Sequence, residues 1–158
     1  MQVAVLVSGH GSNLQALIDA CAEPDFPARI VLVASNVADA FALQRAKSAG
    51  LPTAVLDHRK FASREAFDTA MQSRIVAAGA DLVCLAGFMR LLSPAFVEAF
   101  AGRMINIHPS LLPAFPGLHV HEKVIASGVR FTGCTVHFVS AETDAGPDRK
   151  STRLNSSH

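Results

Sequence analysis

The chain has 158 residues, half of them hydrophobic and 17% charged, with a formal net charge of +1. This is enough apolar material for one soluble globular domain with a sizeable core. So even a charge balance makes no electrostatic case for nucleic acid or an anionic membrane surface, and no apolar run approaches a membrane span.

In chain order, the first strand is expected over Val3–Val7. It follows Met1-Gln2 without a basic leader and is too short for a signal peptide, so the expected location is the cytoplasm. The turn Ser8-Gly9-His10-Gly11-Ser12-Asn13 leads into a helix with Leu14, Leu17, Ile18 and Cys21 on one face. Ser12 and Gln15 have the spacing of a capping box at its start. Further strands are expected over Arg29–Ala34, Thr53–Leu56, Leu82–Ala86, Met104–His108 and Thr132–Val139. Ser93-Pro94 reads as an N-cap with proline at the first helical position.

Most of these strands are apolar on both faces, which is how strands covered by helices on two sides read. Strand–helix alternation predicts an open, mostly parallel, Rossmann-like α/β sheet flanked by helices on both faces. Cys21, Cys84 and Cys134 are far apart and odd in number, and read as buried free thiols of a reducing compartment.

The tail breaks the pattern. After Pro147 the chain reads D-R-K-S-T-R-L-N-S-S-H, polar and without either period. It is either a disordered tail or, as the string resembles the conceptual translation of a sequencing-library adapter, a non-native addition. The expected organisation is a domain over 1–147, incomplete at its C-terminus, and a non-native tail over 148–158.

In an open parallel sheet, ligands bind beyond the carboxyl ends of the strands. The turn holding Gly11, Ser12 and Asn13 could cradle a phosphate with its backbone amides and the helix dipole, or be a bare strand–helix turn. It is not the dinucleotide fingerprint: Leu14 stands where the third glycine would be, and Ser35-Asn36 where an acid would hold a ribose. After the fourth strand, Met89-Arg90-Leu91-Leu92 could hold a carboxylate beside a flat apolar ligand, or Arg90 could be a surface charge. Arg64, near a helix start, has the same two readings.

Asn106 and His108 are two apart in I-N-I-H-P-S-L-L-P-A-F and so share a strand face near its carboxyl end. Buried without partners they would cost on the order of several kcal/mol. They are either a satisfied core pair or a set suited to stabilising an oxyanion and moving a proton in acyl-type transfer. Asp144, in a turn after the sixth strand, either caps its own backbone or, beside His108, raises the imidazole pKa. His119-Val120-His121 lacks the companion ligands of a metal centre and reads as loop, and His137 reads as structural or supporting.

Together these segments resemble the folate-dependent formyltransferases, and among them the phosphoribosylglycinamide formyltransferase family. The likeness runs from V-A-V-L-V-S-G-H-G-S-N-L-Q-A through L-A-G-F-M-R-L-L-S-P and I-N-I-H-P-S-L-L-P-A-F-P-G-L-H-V-H to H-F-V-S-A-E-T-D-A-G-P. It implies transfer of a formyl group from 10-formyltetrahydrofolate to the amine of glycinamide ribonucleotide in purine biosynthesis. It further implies that Gly11, Ser12 and Asn13 hold the substrate phosphate. Arg64, Met89, Arg90, Leu91, Leu92 and Asn106 would line the folate site. His108 would be the general acid, Asn106 the oxyanion stabiliser and Asp144 the residue that raises the His108 pKa. No metal, nucleic acid or membrane partner is implied, and the expected state is a monomer or weak homodimer.

Two departures stand out. His10 occupies a position of the phosphate turn where the family commonly has asparagine or another polar residue, and the family's chain continues beyond the G-P of Gly146-Pro147 with a hydrophobic strand, further sheet and a long helix. The other readings are a formyltetrahydrofolate hydrolase, a methionyl-tRNA formyltransferase, a phosphate-binding module without chemistry and a dinucleotide-binding dehydrogenase domain. The arginine-rich readout and extra domain of the tRNA enzyme are not visible, nor is the third glycine of the dehydrogenase.

Overall fold

The computed structural model describes residues 1–140 and the backbone of Asp148–Asn155. Strand β1 (Gln2–Val7) leads to helix α1 (Ser12–Cys21), then β2 (Arg29–Ser35), α2 (Phe41–Ser48) and β3 (Thr53–Val55). After a short 3-10 turn come α3 (Arg64–Ala77), β4 (Leu82–Leu85), α4 (Pro94–Ala99) and β5 (Met104–His108). The chain continues with α5 (Val120–Ser127), β6 (Phe131–Phe138) and β7 (Asp148–Asn155). The strands lie in the order β3-β2-β1-β4-β5-β6-β7, with β1 to β5 parallel and β6 and β7 antiparallel.

Two apolar layers cover the sheet. On one face Ala4, Leu6, Val83, Leu85 and Met104 pack with Phe67, Met71 and Ile75 of α3 and Phe96 of α4. On the other, Val3, Val5, Val7 and Cys84 pack with Leu14 of α1 and with Ala42 and Ala46 of α2. The alternation along β1 and β4 is the period of two that sends successive side chains to opposite faces. Leu14 is the one fully buried residue of the α1 stripe, with Leu17, Ile18 and Cys21 partly buried behind it.

Three expectations are corrected. The residue preceding α1 is Gly11, in a left-handed conformation with no side-chain cap, and Ser12 is already helical. The capping box therefore does not form; the Gln15 amide instead donates to Asp19 Oδ1 at 2.9 Å. The cysteines are free, but only Cys84 is buried, while Cys21 and Cys134 are partly exposed. Asp148–Asn155, set aside as a tail without periodicity, runs antiparallel along β6. An unpaired edge accepts a neighbour through main-chain hydrogen bonds whatever its side-chain pattern, so periodicity did not announce this strand. The Ser93-Pro94 signal is present as read, with Ser93 Oγ accepting from the Phe96 amide at 3.2 Å and proline in the first turn of α4.

Among the described residues no helix is long and apolar enough to cross a membrane. Burial, and secondarily the neighbouring Cys21, pushes the Cys84 thiol up from the ordinary 9.0 to about 11. The unfolded thiol ionises first, so this residue's contribution to stability is complete below pH 9 and is lost as pH rises to 11. In the folded chain at pH 8, Cys84 is expected to resist a disulfide reagent and to react once urea unfolds the protein. Urea midpoints should fall between pH 9 and pH 11; rapid labelling of native Cys84 at pH 8 would contradict the burial.

Candidate functional site at the carboxyl ends of β1, β4 and β5

The strand order runs one way from β1 to β3 and the other way from β4 onward, so the switch point lies between the carboxyl ends of β1 and β4. That is where open α/β sheets form their ligand crevice. From β1 the chain enters the turn Ser8–Gly11. Gly11 has φ 82, and a Cβ there would stand 2.6 Å from Ala42 Cβ and 2.7 Å from Ala42 Cα. No larger residue fits without moving α2. The turn is fastened to α2 by the Ala42 amide, which donates to the Gly9 carbonyl at 3.0 Å. Arg45 Nε donates to the His10 carbonyl at 2.9 Å. The His10 ring stacks on Phe41 with centroids 5.1 Å apart, and Arg45 lies over the same ring. Ser12 and Asn13 are exposed in the first turn of α1, beside the opening amides of the helix.

From β4 the chain runs through Met89–Leu92, held at both ends. The Met89 amide donates to Ser8 Oγ at 2.9 Å, and the Ser93 amide donates to Asp68 Oδ2 at 2.7 Å. Between these anchors the Arg90 guanidinium lies over the Phe67 ring, 4.6 Å from its centroid. Met89 and Leu91 are 68% and 70% exposed, an apolar lip at the crevice, while Leu92 packs against the core. Arg64 is exposed in the first turn of α3, three residues and so one helical turn before Phe67. Arg90 Nε is buried without a hydrogen-bond partner among the described residues.

Along β5, Met104 belongs to the apolar layer of α3 and α4, so Asn106 and His108 continue the same face toward the carboxyl end. Asn106 lies beside Leu85 of β4 on one side and pairs with His137 of β6 on the other, and His108 pairs with Thr135. Directly paired residues point to one face, so four polar side chains gather there. His108, Thr135 and His137 are all buried. His108 Nε2 lies 2.8 Å from the Phe115 carbonyl. A carbonyl can only accept, so this nitrogen carries the proton. Thr135 Oγ1 donates to the Ser110 carbonyl at 2.8 Å and accepts from the Leu112 amide at 3.1 Å. It thereby ties down the loop that supplies the Phe115 carbonyl. Asp144 lies outside the described residues.

Of the two histidines read as loop, His119 is outside a helix and His121 is not. His119 precedes α5 with φ 57, His121 is in its first turn, and His119 Nδ1 stands 3.8 Å from Glu122 Oε1. Among the described residues no group of His, Cys, Asp and Glu could hold a metal ion. An apolar groove of about 660 Å³ follows α4 past Val97 and Ala101 to Phe138 and Val139. Its β6 end lies against Ile105, toward the amino end of β5 and away from His108.

The structure thus joins the Met89–Leu92 segment to the base of the turn through Ser8, and sets Asn106 and His108 on the neighbouring strand. Ser8, Asp68 and Thr135 as parts of this frame went unread in the sequence, while His137, read as structural or supporting, lies opposite Asn106. Each of the three acts across strands or between elements, and only the β5–β6 register would have pointed to Thr135.

Fold and site define a doubly wound α/β domain with its polar residues converging on the switch-point crevice. The family model for formyl transferase matches residues 1–148. The chain belongs to the formyl transferase family. It is 52% identical over 147 residues to phosphoribosylglycinamide formyltransferase of Escherichia coli, covering 93% of this chain and 69% of that one. It is 54% identical over 145 residues to the trifunctional purine biosynthetic protein adenosine-3 of Bos taurus, 92% of this chain but 14% of that much longer one. Among solved structures, glycinamide ribonucleotide transformylase 1 from Symbiobacterium toebii superposes with a TM-score of 0.95 at 47% identity, over 98% of this chain and 73% of that one.

Gly11→Ala is expected to cost about 2–4 kcal/mol, from the left-handed backbone and the collision with Ala42 together. At Gly9 an added Cβ meets nothing within 4 Å, so Gly9→Ala should cost under about 1 kcal/mol. Urea denaturation of the two variants checks this; equal losses would show that the fit of Gly11 against α2 is not the constraint.

Proposed function

We propose that the chain carries the formyl-transfer chemistry of phosphoribosylglycinamide formyltransferase, passing a formyl group from 10-formyltetrahydrofolate to the amine of glycinamide ribonucleotide in the cytoplasm. The observation that carries this reading is the pair Asn106 and His108, on the face where the apolar layer of β5 turns polar, next to the switch-point crevice. The names of relatives at about half identity support a formyl group and a phosphoribosylglycinamide acceptor; the folate donor follows from the family resemblance, and the placement of Asn106 and His108 is compatible with the roles assigned to them.

The turn of Gly11, Ser12 and Asn13 is assigned to the ribonucleotide phosphate, its glycine-shaped backbone and helix amides being suited to an anion. Met89–Leu92, with Arg64 and Arg90, is assigned to the folate. The apolar lip would lie against a flat ring system, and the guanidinium groups would face a carboxylate. The substrate amine attacks the formyl carbon, a C–N bond forms, and the carbonyl oxygen takes up negative charge. The Asn106 amide is assigned to donate to that oxygen, with His108 beside it. As the bond to the folate nitrogen breaks, His108 delivers a proton to the leaving nitrogen, and the new amide nitrogen loses one. Asp144 is assigned to face the imidazole and favour its protonated form.

The described residues form no metal cluster, and the roles assigned here need none. Oligomerisation beyond a monomer or weak homodimer is not part of the reading. Asp148–His158 is held to be foreign to the domain, in keeping with a family match that includes none of the residues after 148; DNA sequence from the source reading on from Pro147 into an apolar strand would support this.

His108→Ala is expected to lower kcat for formyl transfer by about a hundredfold or more, while ribonucleotide binding, measured by calorimetry, stays within about twofold of the parent. Unchanged turnover would remove His108 from the reaction.

A further inference from the structure

Ser8 links the two assigned substrate sites by a hydrogen bond. It directly follows β1, one side of the switch point, and leads toward the Gly11–Asn13 turn assigned to the phosphate without belonging to it. Its hydroxyl oxygen accepts the Met89 amide, the first residue of the segment assigned to the folate, from the other side. The same hydroxyl donates to Asn36 Oδ1 at 2.5 Å. Asn36 is itself buried at the end of β2, and its Nδ2 lies 3.3 Å from His58 Nδ1. With the Asn36 carbonyl turned to Ser8, its amide faces His58, and one direction of donation runs from the Met89 amide through Ser8 to Asn36. A hydroxyl is the one small group that can accept from Met89 and donate to Asn36 at once.

We propose that Ser8 is a positioning residue for the folate segment: its hydroxyl, oriented by Asn36, holds the backbone of Met89 at a fixed distance from the phosphate turn. This rests on the reading that Met89–Leu92 receives the folate. Ser93, at the far end of the segment, is held independently by Asp68. Removing the Ser8 hydroxyl therefore releases only the end nearest the turn. Met89 is 68% exposed, so few side-chain contacts would hold that end once the hydrogen bond is gone. The turn keeps its own fastening to α2 through the Gly9 and His10 carbonyls. The two sites should therefore respond differently to one substitution.

The test compares the parent chain with Ser8→Ala, and with Ser8→Thr, which keeps the hydroxyl. Affinity is measured for 5-formyltetrahydrofolate and, separately, for ribose 5-phosphate, and amide hydrogen exchange is followed at Met89. The expected result for Ser8→Ala is folate binding weakened about tenfold, the scale of one well-placed hydrogen bond. Ribose 5-phosphate binding should change less than about twofold, and Met89 exchange should be faster; Ser8→Thr should restore all three toward the parent. Equal loss of both ligands in Ser8→Ala would make the residue a general support of the fold and overturn the proposal, as would unchanged exchange at Met89. If the unaltered chain binds ribose 5-phosphate but not the folate, the assignment of Met89–Leu92 fails, and the proposal with it.

Discussion

The pairing of β5 with β6 is the constraint on which the polar site depends. Register sets which side chains share a face, and a slip of one residue would send Thr135 and His137 to the opposite side of the sheet. Asn106 opposite His137 and His108 opposite Thr135 is the arrangement present. It places three fully buried polar residues together, which no apolar core would tolerate without hydrogen-bond partners. Thr135 meets two of those demands in the loop after β5, and that loop supplies the carbonyl that holds His108 Nε2. Orientation of the imidazole is thus built from β6 outward, although the histidine itself belongs to β5.

The same face explains how one strand can be both core and site. Met104 lies under α4 with Phe96 and Phe100, while two and four residues later the strand has passed the helix cover. Parallel strands deliver their carboxyl ends to one edge, so Asn106 and His108 arrive where β1 and β4 also end. Rigid strands set the separation of these groups, and loops fastened by single hydrogen bonds supply the adjustable remainder. Met89–Leu92 is of that second kind, anchored at Ser8 and Asp68 with its apolar side chains left largely outside.

Much of this was legible in the sequence because it is local. The strands β1 to β6 lie within one or two residues of the spans read from apolar runs, and the shared face of Asn106 and His108 follows from a period of two alone. The start of α1 was misread because Ser12 and Gln15 satisfy a capping pattern that the backbone does not use. Gly11 takes the position instead, since only glycine accepts both the left-handed φ and the contact with Ala42. Ser8, Asn36 and Asp68 were passed over for a different reason. Their partners are 81, 28 and 25 residues away in sequence, and a side chain's use across such a gap leaves no mark in local pattern. The antiparallel course of Asp148–Asn155 was equally invisible, since main-chain pairing at an edge makes no demand on side-chain alternation.

His10 brings these arguments together. In a turn assigned to an anion, an extra imidazole would be available to act through its ring, yet the ring stacks on Phe41 and its Nε2 lies 2.9 Å from Arg45 Nη2. A guanidinium only donates, so that nitrogen serves as acceptor and the side chain is engaged with α2. What the turn takes from position 10 is the carbonyl, held by Arg45 Nε. That contact, the Gly9 carbonyl bond from Ala42 and the close fit of Gly11 all bear on the first turn and a half of α2. The shape of the turn is therefore set by the helix packed behind it, which leaves its exposed residues Ser12 and Asn13 with the amides of α1 as the surface offered to a ligand. A side chain that differs at position 10 can be accommodated for the same reason, provided its backbone still meets Arg45.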